Sequence, residues 1–335
     1  MSVEAAQAAL DAAAALYGDA LGVDGPALLR ERAEILAIAP QGRVSAGGTC
    51  RLLQAGDARW VAVNLARRDD VELFAAWMGR EWDGPVWDAI ETALRDMTAE
   101  DAVDRAQLLG IPAAVAVAPE DVPVTTAPPT IGPEVRGGVV VDLSSLWAGP
   151  LCARLLGAAT RTPIRKVESA SRPDGARFGP PEFFQRMNGM KEQVTLDFDD
   201  RSALEHHLES ASIVVTSARP RALEQLGIEP HSYVERGVLW VSITGYGYDS
   251  PWRDRVAFGD DAAVAGGAAV AAGGAGSPVF VGDAVADPMA GLRVAAVAAR
   301  LHRDGAAAFV DVAMREAVAE AFTGPQYAAH DLEVA

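Results

Sequence analysis

In the stretch GDAVADPMAGLRVAAVAARL, residues 282–301, Asp287 stands with Pro288 at the entrance to a long apolar run that carries hardly any charge. One chemistry and one structural role compete for it. Structurally, Asp is a favoured N-cap and Pro a favoured first helical residue, so the pair marks a helix start. Chemically, a carboxylate at a helix N-terminus stays ionised beside the positive end of the dipole, and an ionised carboxylate can attack an activated acyl group. The pattern alone leaves both readings open.

Other chemistries are poorly supplied. A dinucleotide site needs G-x-G-x-x-G at the first strand-to-helix turn, but LSSLWAGP holds one glycine there, and GYGYDS stops at Ser250. The chain has no G-K-[ST] phosphate loop and no G-x-S-x-G nucleophile turn. His206 and His207 are adjacent, so on a helix their side chains diverge by about a hundred degrees and share no metal. His231, His302 and His330 have no partner at ligand spacing, and no metal site is expected. Cys50 and Cys152 lie far apart and read as small core residues.

Composition narrows the class. At 335 residues, half of them apolar, the chain is long enough for two domains. A net charge of −17 argues against a general nucleic-acid binder or a protein held on anionic lipid. No long uncharged apolar segment suggests a membrane span and the N-terminus lacks a basic leader, so a cytoplasmic protein is expected. The only two lysines, Lys166 and Lys191, fall close to Arg161, Arg165, Arg172, Arg177 and Arg186. That local cluster suits either a small polyanion or a solvated face.

The elements that must position these groups change rhythm along the chain. The first forty residues read as helices, and CRLLQAGDARWVAVNLA as a hairpin turning at Gly56-Asp57. Amphipathic helices and the short strand IPAAVAVAP follow, up to a Pro-, Thr- and Gly-rich linker over 123–137. Beyond it the continuous run GVVVDLSS, PIRKVE, QVTLDF, SIVVTSA and VLWVSITGYG alternate with helices, the signature of a parallel α/β sheet. Ligands in such sheets sit beyond the carboxyl ends of the strands, so SSLWAGP and TGYGYDSPW are candidate site loops.

The second half resembles the family III CoA-transferases, the group of formyl-CoA transferase, the carnitine and bile-acid CoA-transferases and α-methylacyl-CoA racemase. VVVDLSSLWAGPLCARLLG, IRKVES, FFQRMNGMKEQVTLDF, IVVTSARPRALEQLGI, WVSITGYGYDSPW, ADPMAGL and FVDVAM resemble its motifs in order. GDARWVAVNLARRDDVELFAAW and MTAEDAVDRAQLLGIPAAVAVAPEDV resemble the family's smaller domain, which normally follows the catalytic block. Here they precede it, so the chain reads as circularly permuted.

The resemblance implies an α/β fold: a large parallel-sheet Rossmann-like domain over 138–335 and a smaller α+β domain over 1–122. It implies CoA transfer from an acyl-CoA thioester to a carboxylic acid, with Asp287 as nucleophile and no permanently bound cofactor. Gly245, Gly247, Gly266 and Gly267, with Trp147, would form the oxyanion and substrate loops. Arg165, Lys166, Arg186, Asn188, Lys191 and Arg219 would face the CoA. A homodimer is expected, not necessarily interlocked. Two alternatives stay open. One is a 2-methylacyl-CoA racemase, although RVAFGDDAAV offers Ala257, Asp260 and Asp261 but no histidine. The other is a non-catalytic CoA-binding paralogue.

Overall fold

The computed structural model describes residues 1–79 and 82–324; His330 lies outside them. Two sheets organise the chain. The smaller is antiparallel, in the order β1 (Cys50–Gln54), β2 (Trp60–Asn64), β3 (Ala113–Val115). The expected hairpin forms with Cys50 opposite Asn64 and Gln54 opposite Trp60. Every residue of β2 is buried because both of its faces are covered. Val61 and Val63 pack under the helices that carry Trp77, Ile90 and Leu94. Trp60 and Ala62, on the other face by the two-residue period, pack against Val264, Ala269 and Phe280 of the second half.

The larger sheet has seven strands. In chain order they are β4 (Thr130–Glu134), β5 (Val139–Asp142), β6 (Ile164–Ser169), β7 (Glu192–Leu196), β8 (Ala211–Thr216), β9 (Leu239–Thr244) and β10 (Ala306–Ala313). In space the order is β4-β10-β9-β8-β5-β6-β7. All neighbours are parallel except β4, which runs antiparallel to β10. The mixed α/β architecture with a mostly parallel large sheet is the one expected. Alternate residues of the central strands feed two cores. Val140, Ile213, Val215, Val241 and Ile243 pack under the helices Ala148–Thr160 and Ala286–Arg303, while Val141, Val214 and Trp240 pack on the opposite face.

Two boundaries differ from the sequence reading. The helices Val3–Leu21 and Gly25–Leu36 do not belong to the small layer; Ala6, Leu10, Ala14, Tyr17 and Leu29 join the core of the large sheet. Their periodicity shows an apolar face but not its partner. The expected linker over 123–137 contains β4, an edge strand. It is mostly exposed and carries Pro133, so it lacks the apolar run by which a strand is recognised; proline is tolerated at an edge, where one N–H needs no partner.

Candidate active site

The chain reverses its direction across the sheet between β5 and β8, and this is where a parallel sheet opens a crevice. A cavity of about 340 Å³ lies there, walled by Leu143 and Ser145 after β5, Ser217 and Arg219 after β8, and Thr244 and Gly245 at the end of β9. A second cavity, of about 450 Å³, lies between the two sheets' layers; Trp147, Phe178 and Phe183 line it with Arg32, Asn64 and Arg67 from the N-terminal part. Asp287, Leu146 and Phe258 line both. Asp287 therefore sits where the two spaces meet. It is enclosed by protein yet only half-buried, because its carboxylate faces open space.

Asp287 is not the cap of its helix. That helix begins at Ala286, with Val285 at the N-cap, and Asp287 lies inside the first turn. Its carboxylate instead lies near the backbone N–H of Ala148, the first residue of the neighbouring helix, which favours the charged form. Nor does the dipole keep it acidic. Burial raises its pKa from 3.8 to about 7; Arg32 and the Ala148 N–H oppose the rise, and the nearby carboxyls of Asp260 and Asp283 add to it. Desolvation outweighs the helix end here.

The neighbourhood is acidic and tightly built. Burial and Asp283 raise Asp260 to about 6. Arg32 donates to Asp283 at 2.6 Å, and its guanidinium lies 5.9 Å from the centre of the Trp147 ring. Asp261, raised to about 7 by burial, is bound by Asn64 at 2.9 Å and by the Phe258 N–H at 3.1 Å, which ties the small sheet to the site. Gly259 shapes the space around the nucleophile candidate. A Cβ there would come within 2.2 Å of Asp287 Oδ2 and 2.4 Å of the Ala284 carbonyl. Gly259→Ala is expected to push the carboxylate out of position and lower kcat by ~100-fold, the scale of a displacement near 1 Å. Steady-state kinetics with the melting temperature monitored checks this.

The loop that brings Ala148 to Asp287 is held from beneath. Leu146 adopts a left-handed conformation, φ 68°, that a branched residue keeps only when its surroundings enforce it. Asp174 accepts the Leu146 N–H at 2.8 Å. Lys166 in turn pairs with Asp174 at 2.9 Å and donates to the Ser144 carbonyl at 2.7 Å. Lys191 donates to Asp142 at 2.7 Å, to Asn188 at 2.9 Å and to the Pro150 carbonyl at 2.9 Å.

This changes the expected CoA contacts. Lys166 and Lys191 are buried and spend their ammonium groups on protein, so neither is free to meet a phosphate; Asn188 is fully buried, its Oδ1 accepting from Lys191 and its Nδ2 without a partner among the described residues. Arg165 sits near the amino end of β6, away from the crevice, paired with Glu192 at 2.9 Å. Arg186 is exposed and pairs with Glu31 at 2.8 Å. Arg219 does line the crevice, its guanidinium bonded to the Asp254 carbonyl at 3.0 Å. Arg172, seen in the sequence only as one of a cluster, lines an adjoining cavity of about 520 Å³ beyond β5 and β6.

The glycines divide likewise. Gly245 borders the crevice. The N–H of Gly247 is bonded to Thr244 Oγ1 at 2.8 Å, and those of Gly266 and Gly267 are bonded to the carbonyls of Ala262 and Val264. These three N–H groups are not available to an oxyanion. Gly266 and Gly267 serve packing: a Cβ would meet the Arg315 carbonyl at 2.4 Å and Pro119 N at 2.5 Å. Trp147 is buried in the second cavity's wall, edge-on to Phe183 at 5.4 Å. Arg32, Gly259 and the Ala148 N–H gave no local signal in sequence, because their relation to Asp287 arises from packing between distant segments.

Among the described residues, no helix is long and apolar enough to cross a membrane. The family model for CoA-transferase family III matches residues 135–334. The chain is 33% identical over 138 residues to the (R)-2-hydroxy-4-methylpentanoate CoA-transferase of Clostridioides difficile, covering 37% of this chain and 35% of that one. It is 30% identical over 197 residues to the succinyl-CoA–L-malate CoA-transferase beta subunit of Chloroflexus aurantiacus, covering 53% and 48%. The solved structure of the hypothetical protein Rv3272 from Mycobacterium tuberculosis aligns with TM-score 0.48 at 26% identity, over 57% of this chain and 58% of that one. The chain spans half or less of the length of these curated relatives. With the match beginning just after β4 and running through the crevice, Asp287 and β10, over more than half of the chain, the chain belongs to CoA-transferase family III.

Proposed function

We propose that the chain transfers CoA from an acyl-CoA thioester to a carboxylic acid, with Asp287 as the covalent acceptor. The observation that carries this reading is the position of the Asp287 carboxylate at the junction of two cavities of different character. The CoA nucleotide would lie over the strand ends, with Arg219 and Arg172 facing its phosphates. The acyl group would enter the aromatic cavity of Trp147, Phe178 and Phe183.

In the first step an Asp287 oxygen attacks the thioester carbon, the C–S bond breaks, and CoA leaves as thiolate with a mixed anhydride behind it. The thiolate then attacks the aspartyl carbonyl; the donor acid leaves as carboxylate, and Asp287 becomes a CoA thioester. The acceptor carboxylate attacks that thioester, again forming an anhydride and releasing thiolate. The thiolate finally takes the acceptor's acyl carbon, and Asp287 is a carboxylate again. Charge develops on oxygen at each attack, and the Ala148 N–H stands beside it, with the Gly245 turn across the crevice. Trp147 and Phe258 keep water from the reactive intermediates.

A panel of acyl-CoA donors and heavy-oxygen-labelled carboxylate acceptors tests the reading. The acceptor's CoA ester should form, and one labelled oxygen should appear in the peptide containing Asp287. Acceptor-CoA formed with no label in that peptide would overturn it.

We also propose that the order of the layers is a permutation of the family's and that subunits pair as homodimers without interlocking. Arg32, Asn64, Arg67 and Asp287 wall the same cavity from one chain, so the site needs no borrowed layer. Sedimentation alongside activity on dilution tests this: loss of activity as dimers separate would contradict a site complete in one chain.

A further inference from the structure

Arg32 is the cation whose charge bears on Asp287, and it lies on the wall of the same aromatic cavity. The helix Gly25–Leu36 brings it there from a segment far from the crevice strands. Its hold on the protein is one-sided. Nη1 donates to Asp283 at 2.6 Å, and the side chain, 27% exposed, lies 5.9 Å from the Trp147 ring centre. Beyond Asp283 the guanidinium has no hydrogen-bond partner among the described residues. The other guanidiniums on the two Asp287 cavities are committed elsewhere. Arg67 binds Asp70 through Nε at 3.0 Å and the Gly110 carbonyl through Nη2 at 2.6 Å. Arg219 binds the Asp254 carbonyl, and Arg255 binds Asp104.

Acids dominate the surroundings of Asp287. Asp260 lines the aromatic cavity, held by the Ala284 N–H at 3.1 Å, and Asp283 is fully buried against Arg32. A carboxylate entering this space is repelled by Asp260, Asp283 and Asp287 and drawn only by Arg32. While Asp287 is ionised, Arg32 already faces an anion there. Once Asp287 is esterified, that anion is gone. A substrate carboxylate then restores the net charge of the free site, and the planar fork of a guanidinium suits a carboxylate's two oxygens.

We propose that Arg32 binds the carboxylate of the substrate acid, and does so only while Asp287 is esterified, so that the charge of Asp287 decides when the acid enters. The inference rests on the reaction assigned to Asp287. It makes two carboxylates alternate at one cation: Asp287 in the free enzyme, the donor or acceptor acid in the covalent one. An acid that meets the free enzyme is turned away, which keeps it from blocking acyl-CoA.

The test uses the full chain at pH 8, with acetate, butyrate and benzoate as probes and the amide of each as its uncharged match. Asp287→Asn stands in for the esterified state, since its side chain is neutral and nearly the same shape. Calorimetry should show at least one acid binding Asp287→Asn ~10-fold or more tighter than the parent, the scale of a hydrogen bond to a charged group. Its amide should bind both alike. Adding Arg32→Gln and Asp283→Asn together removes the cation without leaving its buried carboxylate unpaired. The acid's gain should then vanish while the amide binds as before. The inference is overturned if no acid gains from Asp287→Asn, if acid and amide gain alike, or if the gain survives the loss of Arg32. The measurement needs no turnover. Its failure would leave the covalent role of Asp287 standing, and a missing oxygen label on Asp287 would leave the alternation of charge at Arg32 standing.

Discussion

Asp287→Asn should lose CoA transfer by ~1,000-fold or more, while binding CoA and melting at a higher temperature than the parent above neutral pH. The loss follows from removing the carboxylate that, among the described residues, both cavities share. The gain in stability follows from the carboxyl's raised pKa. Asp287 and Asp261 lie at about 7, Asp260 at about 6, and Asp311 at about 7 on the β10 strand, all lifted chiefly by burial. Between about pH 4 and about 7 the folded chain therefore holds protons that the unfolded chain has released. More protons bound in the folded state means that stability falls as pH rises through that window. Above it, ionised Asp287 is a poorly solvated charge, and a neutral amide avoids that cost. The same pKa predicts that kcat/KM of the parent climbs as pH rises through about 7, as the attacking form is generated. Thermal melts at pH 6 and 8 with parallel assays check both; a variant that is both active and no more stable would break the link between burial and function.

Lys191→Met should destabilise the chain by about 3–5 kcal/mol, the scale for leaving a buried charge without its partner. The partner is Asp142. Burial works against its charge, but Lys191 first and Lys166 next hold its pKa below the ordinary value. Without Lys191 that carboxylate remains fully buried beside Ser144 and the loop it fixes. The melting temperature should fall by roughly five degrees. Arg186→Ala, by contrast, removes an exposed arginine from a buried Glu31 that keeps Arg154, and should change stability by less than ~1 kcal/mol. Were Lys191 a phosphate ligand, its loss would raise KM for acyl-CoA and leave melting intact. Denaturant unfolding and KM, measured on the same preparation, separate the two roles.

Lys191 also shows how far the sequence could be read. Two lysines among many arginines drew attention as a basic cluster, and residue type was all that could be seen. Whether an ammonium faces solvent or an Asp depends on which strand ends meet, and Asp142, Ser144 and Pro150 come from a different stretch of chain. The alternation of strands was legible because an apolar run buried on both faces writes itself into consecutive residues, as in VVVD and LWVSIT. β4 was not, because an exposed edge strand with Pro133 carries no such run.

Asp287 was legible in kind and not in geometry. The Asp-Pro pair pointed to the right turn of the right helix, yet its carboxylate caps nothing on that helix. What surrounds it is the Ala148 N–H, the space kept by Gly259 and the charge of Arg32, three contributions from segments that no local pattern connects. The N-terminal helix bearing Arg32 packs on the large sheet's core, which brings that cation to the site.

The central claim is a covalent bond to one carboxyl group. Incubating the chain with a competent acyl-CoA and hydroxylamine, then mapping the product by peptide mass spectrometry, reads it directly. A hydroxamate on Asp287 is expected, one that requires the acyl-CoA and is absent from Asp287→Asn. An unmodified Asp287 during sustained turnover, or a hydroxamate on Asp260 or Asp283 in its place, would contradict it.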